Sequence, residues 1–208
     1  MTALRPFFNA LLIIAAFVVA WPAAAADANP AASAFMQTLG DDAIRELTDP
    51  AAPKADREAR FRRLLNDHFD MAAISKFVLG RYWRSANESQ REEFRKLFED
   101  FVVGSYSARF GEYRGEAFKV AGSSVDNAGS TIVHSRIDMP SSEDIRVDWR
   151  LRGTGPEFSI VDIIVEGVSM AVTQRSEFAS VIQSRGGVDG LIEALRTKNA
   201  QSANSSAE

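Results

Sequence analysis

Few side chains in this chain of 208 residues are of the types that perform catalysis or bind metals. There is no cysteine, which excludes a disulfide framework, a zinc–thiolate site and a thiol nucleophile. The two histidines, His68 and His134, are too few for a multi-histidine metal site. Ser169 lacks the flanking glycines of a nucleophile elbow and is predicted to be a helix cap or a turn serine after the last strand. We therefore expect no metal site and no cofactor.

Asp162 is the strongest candidate for a chemical role, because it lies between Val161 and Ile163 in an otherwise apolar segment. One interpretation is a general base in a conical cavity of an α+β fold, with His134 or Tyr106 as its partner. The favoured interpretation is a structural carboxylate that binds backbone amides or an arginine, because buried charges are usually paired. The sequence leaves both interpretations open.

The charge balance bears on the kind of partner. The formal net charge is −4, from 24 basic and 28 acidic residues. This argues against nucleic acid as the main partner, since phosphate neutralisation needs a basic face. Arg175, with Arg81 and Arg84 on either side of Trp83, could form a basic rim for an anionic headgroup. Arginines on a solvated surface are the ordinary alternative.

The N-terminal residues have the pattern of a secretory signal. One basic residue, Arg5, precedes an apolar run from Leu11 to Trp21, and Pro22 with small residues at 23–26 follows it. The run is too short to span a bilayer comfortably, and an Ala-x-Ala cleavage site comes directly after it. We predict that residues 1–26 are a cleaved signal peptide and that the mature protein is soluble and exported. An uncleaved anchor helix is the alternative.

Helical periodicity occupies the first half of the remaining chain and returns at its end. Apolar residues three and four apart predict helices from Pro30, with a break at Gly40, and from about Lys54. A short helix over 71–79 and a long one over 88–110 follow. Two closing helices complete a single predicted domain, residues 27–198. Residues 199–208 have no apolar anchor and are predicted to be disordered.

Between these helices the period changes to alternation. Four strands are predicted over residues 117–125, 130–139, 144–154 and 158–166, with turn residues between them. In the fourth strand, alternation places Ile160 on the face opposite to Ile163 and Val165. Helices, then a meandering antiparallel sheet with one wet face, then helices again predict an α+β fold.

Several short motifs occur in a fixed order along the chain. They are Phe69-Asp70, Val78-Leu79-Gly80, Tyr82-Trp83-Arg84, Phe94 and Phe98, Tyr106, Tyr113-x-Gly115-Glu116, Val161-Asp162-x-x-Val165-Glu166-Gly167-Val168-Ser169, Gln174-Arg175-x-x-Phe178 and Gly187-x-x-Gly190-Leu191-Ile192-x-x-Leu195. In this order they resemble the MlaC, or toluene-tolerance, family. The resemblance spans Phe35 to Leu195. The run that begins at Val168 is most similar to the branch associated with hopanoid biosynthesis, HpnM.

The resemblance implies a soluble periplasmic carrier that shuttles phospholipid or hopanoid between the inner and outer membranes. It implies acyl chains in an apolar cavity between a twisted four-stranded antiparallel sheet and covering helices, with the headgroup outside. The implied partners are an inner-membrane lipid transporter and an outer-membrane lipoprotein complex, reached by transient docking. Two alternatives stay open: an isomerase or dehydratase that uses Asp162, and a structural adaptor of the envelope without a cavity.

For such a carrier we predict lining residues from apolar stripes that are wider than one packing partner needs. The helices are expected to contribute Phe77, Tyr82, Trp83, Phe94, Phe98, Phe101 and Tyr106. The sheet and its exit are expected to contribute Val147, Trp149, Leu151, Ile160, Ile163, Val165 and Val168. The headgroup rim is predicted to consist of Arg81, Arg84 and Arg175.

The signal-peptide prediction can be tested by N-terminal sequencing of the exported protein. We expect the mature chain to begin directly after Ala24, Ala25 or Ala26. A protein that keeps Met1 and stays with the membrane fraction would support the anchor helix instead.

Overall fold

The computed structural model of the chain describes residues 27–140 and 143–204. The predicted signal peptide, residues 1–26, lies outside the described residues, as do residues 205–208. Within the described ranges the helices are α1 (Pro30–Leu47), α2 (Lys54–His68), α3 (Met71–Leu79), α4 (Tyr82–Ser85), α5 (Glu88–Phe110), α6 (Met170–Ser184) and α7 (Val188–Asn204). The strands are β1 (Ala117–Val125), β2 (Thr131–Asp138), β3 (Ile145–Arg152), β4 (Ser159–Val165) and β5 (Val168–Ser169).

The strands form one antiparallel sheet in the order β1-β2-β3-β4-β5, so each strand pairs with the next along the chain. The predicted α+β architecture is confirmed. The fifth strand is an addition: it follows a turn in which Glu166 and Gly167 both have positive φ, as in a type I′ hairpin turn. A strand of two residues is too short to produce a recognisable alternation in the sequence.

A bulge in β4 changes which residues share a face of the sheet. The β3 residues opposite Ile160 and Ile163 are two positions apart, although Ile160 and Ile163 are three apart. Val161 is therefore an extra residue, and the parity of β4 reverses there. The prediction that Ile160 lies opposite to Ile163 and Val165 is wrong, because the bulge brings all three to the same face.

The first helix covers one face of the sheet, which we call the inner face. On this inner face the side chains of Val133, Leu151 and Ile160 are 0% exposed. They form a core with Ala32, Met36 and Leu39 of α1 and with Phe158, which directly precedes β4. This burial of apolar surface holds α1 against the sheet.

Gly40 allows α1 to lie close to β1. A Cβ at this position would overlap the ring of Phe118, which in turn packs edge-on against Trp149. In the same region the backbone N–H of Val120 donates to Gln37 Oε1 at 3.1 Å. The predicted break at Gly40 is wrong, and α1 runs on to Leu47. One glycine costs a helix only about 1 kcal/mol, and here its missing side chain makes room for the sheet.

Residues 27–29 bind the start of α1 to β1, which is an edge strand. The N–H of Ala28 donates to Ser123 O at 3.1 Å, and the N–H of Asn29 donates to Ser123 Oγ at 2.7 Å. The hydroxyl of Ser123 donates to Asp27 and lowers the pKa of that carboxyl. Asn29 also caps α1 by accepting from the N–H of Ala32.

Backbone contacts also cover the other edge of the sheet. Phe69, between α2 and α3, forms an isolated parallel bridge with Ile160 of β4. The N–H of Asp70 donates to Ile160 O at 3.0 Å, and the Asp70 carboxylate caps α3 through the N–H of Ala73.

In β1 a second bulge, at Ala121, interrupts the pairing with β2.

The other helices form a core of their own. Here α3, α5, α6 and α7 pack around Phe94 and Phe98, whose rings stack with centroids 5.8 Å apart and meet the ring of Phe178 edge-on at 5.7 Å. A smaller core joins α1, α2 and α5 through Leu47, Phe61, Leu65 and Val103. None of the helices within residues 27–140 and 143–204 is long and apolar enough to cross a membrane.

Helix α7 is longer than predicted. It continues to Asn204, so the prediction of disorder is wrong for residues 199–204, while residues 205–208 lie outside the described residues. The Asn199 side chain donates to Leu97 O of α5 at 3.0 Å. This polar contact stabilises the end of α7. Because it is made by an amide and not by apolar side chains, hydrophobic periodicity in the sequence does not predict it.

Replacing Gly40 by alanine is expected to destabilise the fold, because the new Cβ would collide with Phe118. Overpacking of this kind costs about 1–3 kcal/mol, partly offset by the higher helix propensity of alanine. Gly104→Ala in α5 is the matched control, since its nearest neighbour would be Ser202 Cβ at 3.4 Å. Urea unfolding of both variants measures the difference, and a G40A protein as stable as G104A would contradict the close packing.

Candidate functional site

The inner face is the most extensive apolar surface that the sheet presents. Register and bulges place on it six of the predicted lining residues: Val147, Trp149, Leu151, Ile160, Ile163 and Val165. Helix α1 buries the end near Leu151 completely. Toward the other end Val147 is still buried, whereas its neighbours on this face are half-buried, namely Phe118, Ile137, Ile145 and Val165.

Phe118, Ile137 and Ile145 were not among the predicted lining residues. Ile145 continues the apolar alternation of β3, a signal that is present in the sequence. The pairing of Phe118 with Ile137 across β1 and β2 depends on the register, which the sequence does not determine.

The polar groups of the inner face bind one another. The indole Nε1–H of Trp149 donates to Ser135 Oγ at 2.9 Å. The Ser135 hydroxyl donates in turn to Val147 O at 2.6 Å. Their hydrogen bonds are therefore satisfied within the sheet, and this part of the face can lose water without leaving them unpaired.

The predicted lining residues from the helices lie apart from the inner face. Phe94 and Phe98 are buried at the centre of the helical core, with Tyr82, Trp83 and Phe101 around them. Three other predicted residues are exposed at the surface: Phe77 at 42%, Tyr106 at 41% and Val168 at 53%. The structure thus divides the predicted set into sheet-face, helical-core and surface groups.

The predicted rim arginines are all exposed. The guanidinium of Arg175 lies 5.3 Å from the ring centroid of Phe77, which joins α6 to α3. Arg81 lies 4.9 Å from the ring centroid of Tyr82 and donates to its hydroxyl at 2.8 Å. Hydrogen bonds from Arg81 and from Gln183 lower the pKa of Tyr82.

Asp162 lies on the outer face, which is the face opposite to α1, and is nearly buried. Its carboxylate accepts from Ser169 Oγ at 2.6 Å and from the N–H of Ala171 at 3.0 Å. Arg150 Nε lies 3.9 Å away. The Ser169 and Ala171 contacts fix the carboxylate at the start of α6, where a negative charge is favourable, and Arg150 of β3 lies on its other side. Ser169 caps the same helix, as predicted, by accepting from the N–H of Val172.

The proposed catalytic partners of Asp162 have other contacts. His134 Nδ1 lies 3.0 Å from Asp148 Oδ1, and its Nε2 lies 2.9 Å from Ser124 Oγ. Tyr106 lies beneath the guanidinium of Arg109. The geometry therefore favours the structural interpretation of Asp162 over a general base.

Arg150 connects Asp162 to the turn between β1 and β2 by an ion pair with Asp126. The Asp126 carboxylate also accepts from the backbone N–H groups of Ser130 and Ala128. These backbone hydrogen bonds, together with the charge of Arg150, lower the pKa of Asp126. This part of the outer face is thus a network of paired charges.

Two cavities lie beside α3. One, of about 100 Å³, separates α3 from the outer face and is lined by Ala73, Phe77, Arg150, Arg152, Val161, Asp162 and Ala171. The other, of about 260 Å³, lies between α3 and α5 and is lined by Met71, Ala72, Ser75, Arg95, Lys96 and Glu99. Both are smaller than the roughly 300–1,000 Å³ typical of ligand pockets. Among residues 27–140 and 143–204 no cluster of three histidine or acidic side chains could hold a metal ion.

Comparison with known proteins identifies the family. The family profile described as "MlaC protein" matches residues 37–197, which is most of the chain. The chain belongs to the MlaC family. The match spans most of α1, the other helices up to Thr197 and all five strands.

Relatives of this MlaC-family chain include toluene tolerance protein ttg2D of Pseudomonas putida, which is 24% identical over 177 residues, 85% of this chain and 82% of the relative. The intermembrane phospholipid transport system binding protein MlaC of Haemophilus influenzae is 24% identical over 131 residues, 61% of this chain and 58% of the relative. A similar fold is seen in a phospholipid-binding protein of Ralstonia solanacearum, solved in complex with a phospholipid. The two structures align with a TM-score of 0.71 and 22% sequence identity. The alignment covers 85% of this chain and 99% of the Ralstonia chain.

Asp162→Asn is expected to lower the free energy of unfolding by about 1–3 kcal/mol, because the amide cannot accept both the Ser169 and the Ala171 hydrogen bonds as the carboxylate does. Asp67→Asn, at an exposed position on α2, is the control and should change little. Chemical denaturation of both variants measures the effect. A D162N protein of unchanged stability would argue against the structural role of the carboxylate.

Proposed function

We propose that this MlaC-family protein is a periplasmic phospholipid carrier whose inner sheet face receives the acyl chains. The observation that carries the proposal is the partly uncovered apolar end of that face, where Ile137, Ile145 and Val165 remain half-buried. The names of the Haemophilus and Ralstonia relatives, which describe phospholipid transport and phospholipid binding, support it.

The physical need for such a carrier follows from the hydrophobic effect. Each buried methylene contributes about 0.8 kcal/mol, so moving two acyl chains with some 30 methylenes into water costs ~24 kcal/mol. Spontaneous desorption against this barrier is extremely slow. A protein that offers a dry apolar surface close in free energy to the bilayer interior removes most of the cost.

Binding of lipid requires the protein to open. Both cavities beside α3 are small and carry arginine or other charged side chains at their walls, so acyl chains need a different space. We infer that the helices separate from the half-buried end of the inner face as a lipid enters. The satisfied Trp149–Ser135 pair favours this site, because acyl chains can cover it without stranding a polar group.

The transport route is inferred from the family and from the N-terminal sequence. A cleaved signal would deliver the protein to the periplasm, between an inner-membrane transporter and an outer-membrane lipoprotein complex. Carriage needs no catalytic group, which agrees with the structural contacts of Asp162. A hopanoid is the alternative cargo, because the run that begins at Val168 resembles the branch associated with hopanoid biosynthesis.

Native mass spectrometry of the purified protein, combined with lipid analysis of an organic extract, tests the carrier directly. We expect an adduct of phospholipid mass and the matching phospholipid in the extract. A hopanoid in the extract would change the cargo. A bare protein that also takes up no lipid from vesicles would contradict the carrier.

The choice of face is tested by two neighbouring substitutions in β4. Val165→Glu places a carboxylate on the inner face, whereas Ile164→Glu places the same group on the outer face at a similarly half-buried position. A charge among acyl chains is strongly unfavourable, so V165E should lower the bound lipid at least about tenfold while I164E retains it. Equal lipid content in both folded variants would exclude this end of the inner face.

A further inference from the structure

An exposed strip of aromatic, aliphatic and cationic side chains joins α3, α4 and α6. We call it the α3–α6 strip and define it by Phe77, Arg81, Arg84, Val172 and Arg175. Phe77 is 42% exposed and Val172 52% exposed, although both are large apolar side chains. The three arginines are exposed as well.

Specific contacts hold the strip together. Arg175 spans from α6 to the ring of Phe77, and its Nε lies so close to Gly80 that a Cβ there would approach it to 2.7 Å. Val172 precedes Arg175 by three residues and so lies on a neighbouring part of the α6 surface. At the other end, the hydroxyl of Tyr82 accepts hydrogen bonds from Arg81 and, at 3.5 Å, from Gln183 of α6.

No carboxylate within residues 27–140 and 143–204 forms an ion pair with the arginines of the strip. Within the described ranges, the arginines that pair with carboxylates are Arg45, Arg62, Arg91, Arg136, Arg150 and Arg196. Arg81, Arg84 and Arg175 are not among them. In a chain whose formal net charge is −4, a group of unpaired cations around an exposed aromatic ring is a local excess of positive charge.

We propose that the α3–α6 strip docks the protein on the surface of a bilayer that contains anionic lipid. Arginines complement lipid phosphates by charge and by paired hydrogen bonds. Exposed aromatic and aliphatic side chains lie favourably at the boundary between headgroups and acyl chains. The strip has both components side by side: Arg175 lies over the ring of Phe77 and Arg81 over the ring of Tyr82, while Arg84 adds a third exposed cation. Docking of this kind goes beyond the carriage of lipid, because it does not depend on what the protein holds inside.

Flotation with lipid vesicles tests the proposal. Vesicles of phosphatidylcholine mixed with phosphatidylglycerol are compared with vesicles of phosphatidylcholine alone, at low and high salt. The protein should float with the anionic vesicles, and high salt should weaken the binding. Pure phosphatidylcholine is the reference for any apolar anchoring, which would act on both vesicle types.

Charge reversal locates the surface. Arg175→Glu should lower partitioning onto anionic vesicles by at least about fivefold, the effect of one cation near such a surface. Arg175→Lys keeps the charge and should keep most of the binding. The matched control is Arg109→Glu, because Arg109 is also exposed and lies 5.5 Å from the ring centroid of an exposed tyrosine, Tyr106. Circular dichroism confirms that each variant is folded.

The outcomes distinguish docking from carriage. Loss of flotation in R175E, with retention in R175K and R109E, supports the strip as the membrane surface. Equal loss in R175E and R109E, or no flotation of the unaltered protein, overturns the proposal. In that case a protein partner becomes the better candidate for the occupant of the strip. Lipid content is measured on the same samples before and after incubation with vesicles, so a protein that holds no lipid at either point and still floats would contradict carriage and not docking.

Discussion

The extra residue at Val161 is the constraint on which the arrangement of the molecule depends. Without it, β4 would turn Ile163 and Val165 to the outer face and would turn Asp162 toward α1. With it, the apolar residues on both sides of the bulge extend the inner face, while Asp162 reaches the first turn of α6. One inserted residue therefore continues the apolar surface across the sheet and also fixes the helix that leads into the helical core.

The two cores of the protein differ in how completely they are packed. The helical core contains stacked and edge-on phenylalanine rings at 5.7–5.8 Å and fully buried aliphatic side chains. The inner face is packed to the same degree only where α1 crosses it. Close packing in one part and half-buried apolar side chains in the other suit a protein that must stay folded while it admits a flexible ligand.

Local signals in the sequence predicted much of the fold. The helices Met71–Leu79 and Glu88–Phe110 and the strand Ala117–Val125 have the predicted bounds, because each is delimited by caps, glycines or a change of period within a few residues. The features that differ depend on distant parts of the chain. Gly40 stays helical because Phe118 fills the space beside it, α7 is extended by a contact with α5, and a bulge reverses the parity of β4. The family motifs mark the helical phenylalanines as strongly as the sheet residues, so the sequence could not separate the core from the candidate lipid face.

The way the sheet ends has a consequence for solubility. Strands at the edge of a sheet present unpaired backbone groups that can recruit other chains into aggregates. At the edge formed by β1, the N–H of Ala28 donates to the carbonyl of Ser123, and the bulge at Ala121 interrupts the strand. On the opposite side β5 is only two residues long, and Phe69 and Asp70 occupy the remaining edge of β4. In the part of the chain that the structure describes, the sheet thus offers no long free strand to a second copy. This protects a protein with half-buried apolar surface from amyloid-like association whenever its apolar face is uncovered.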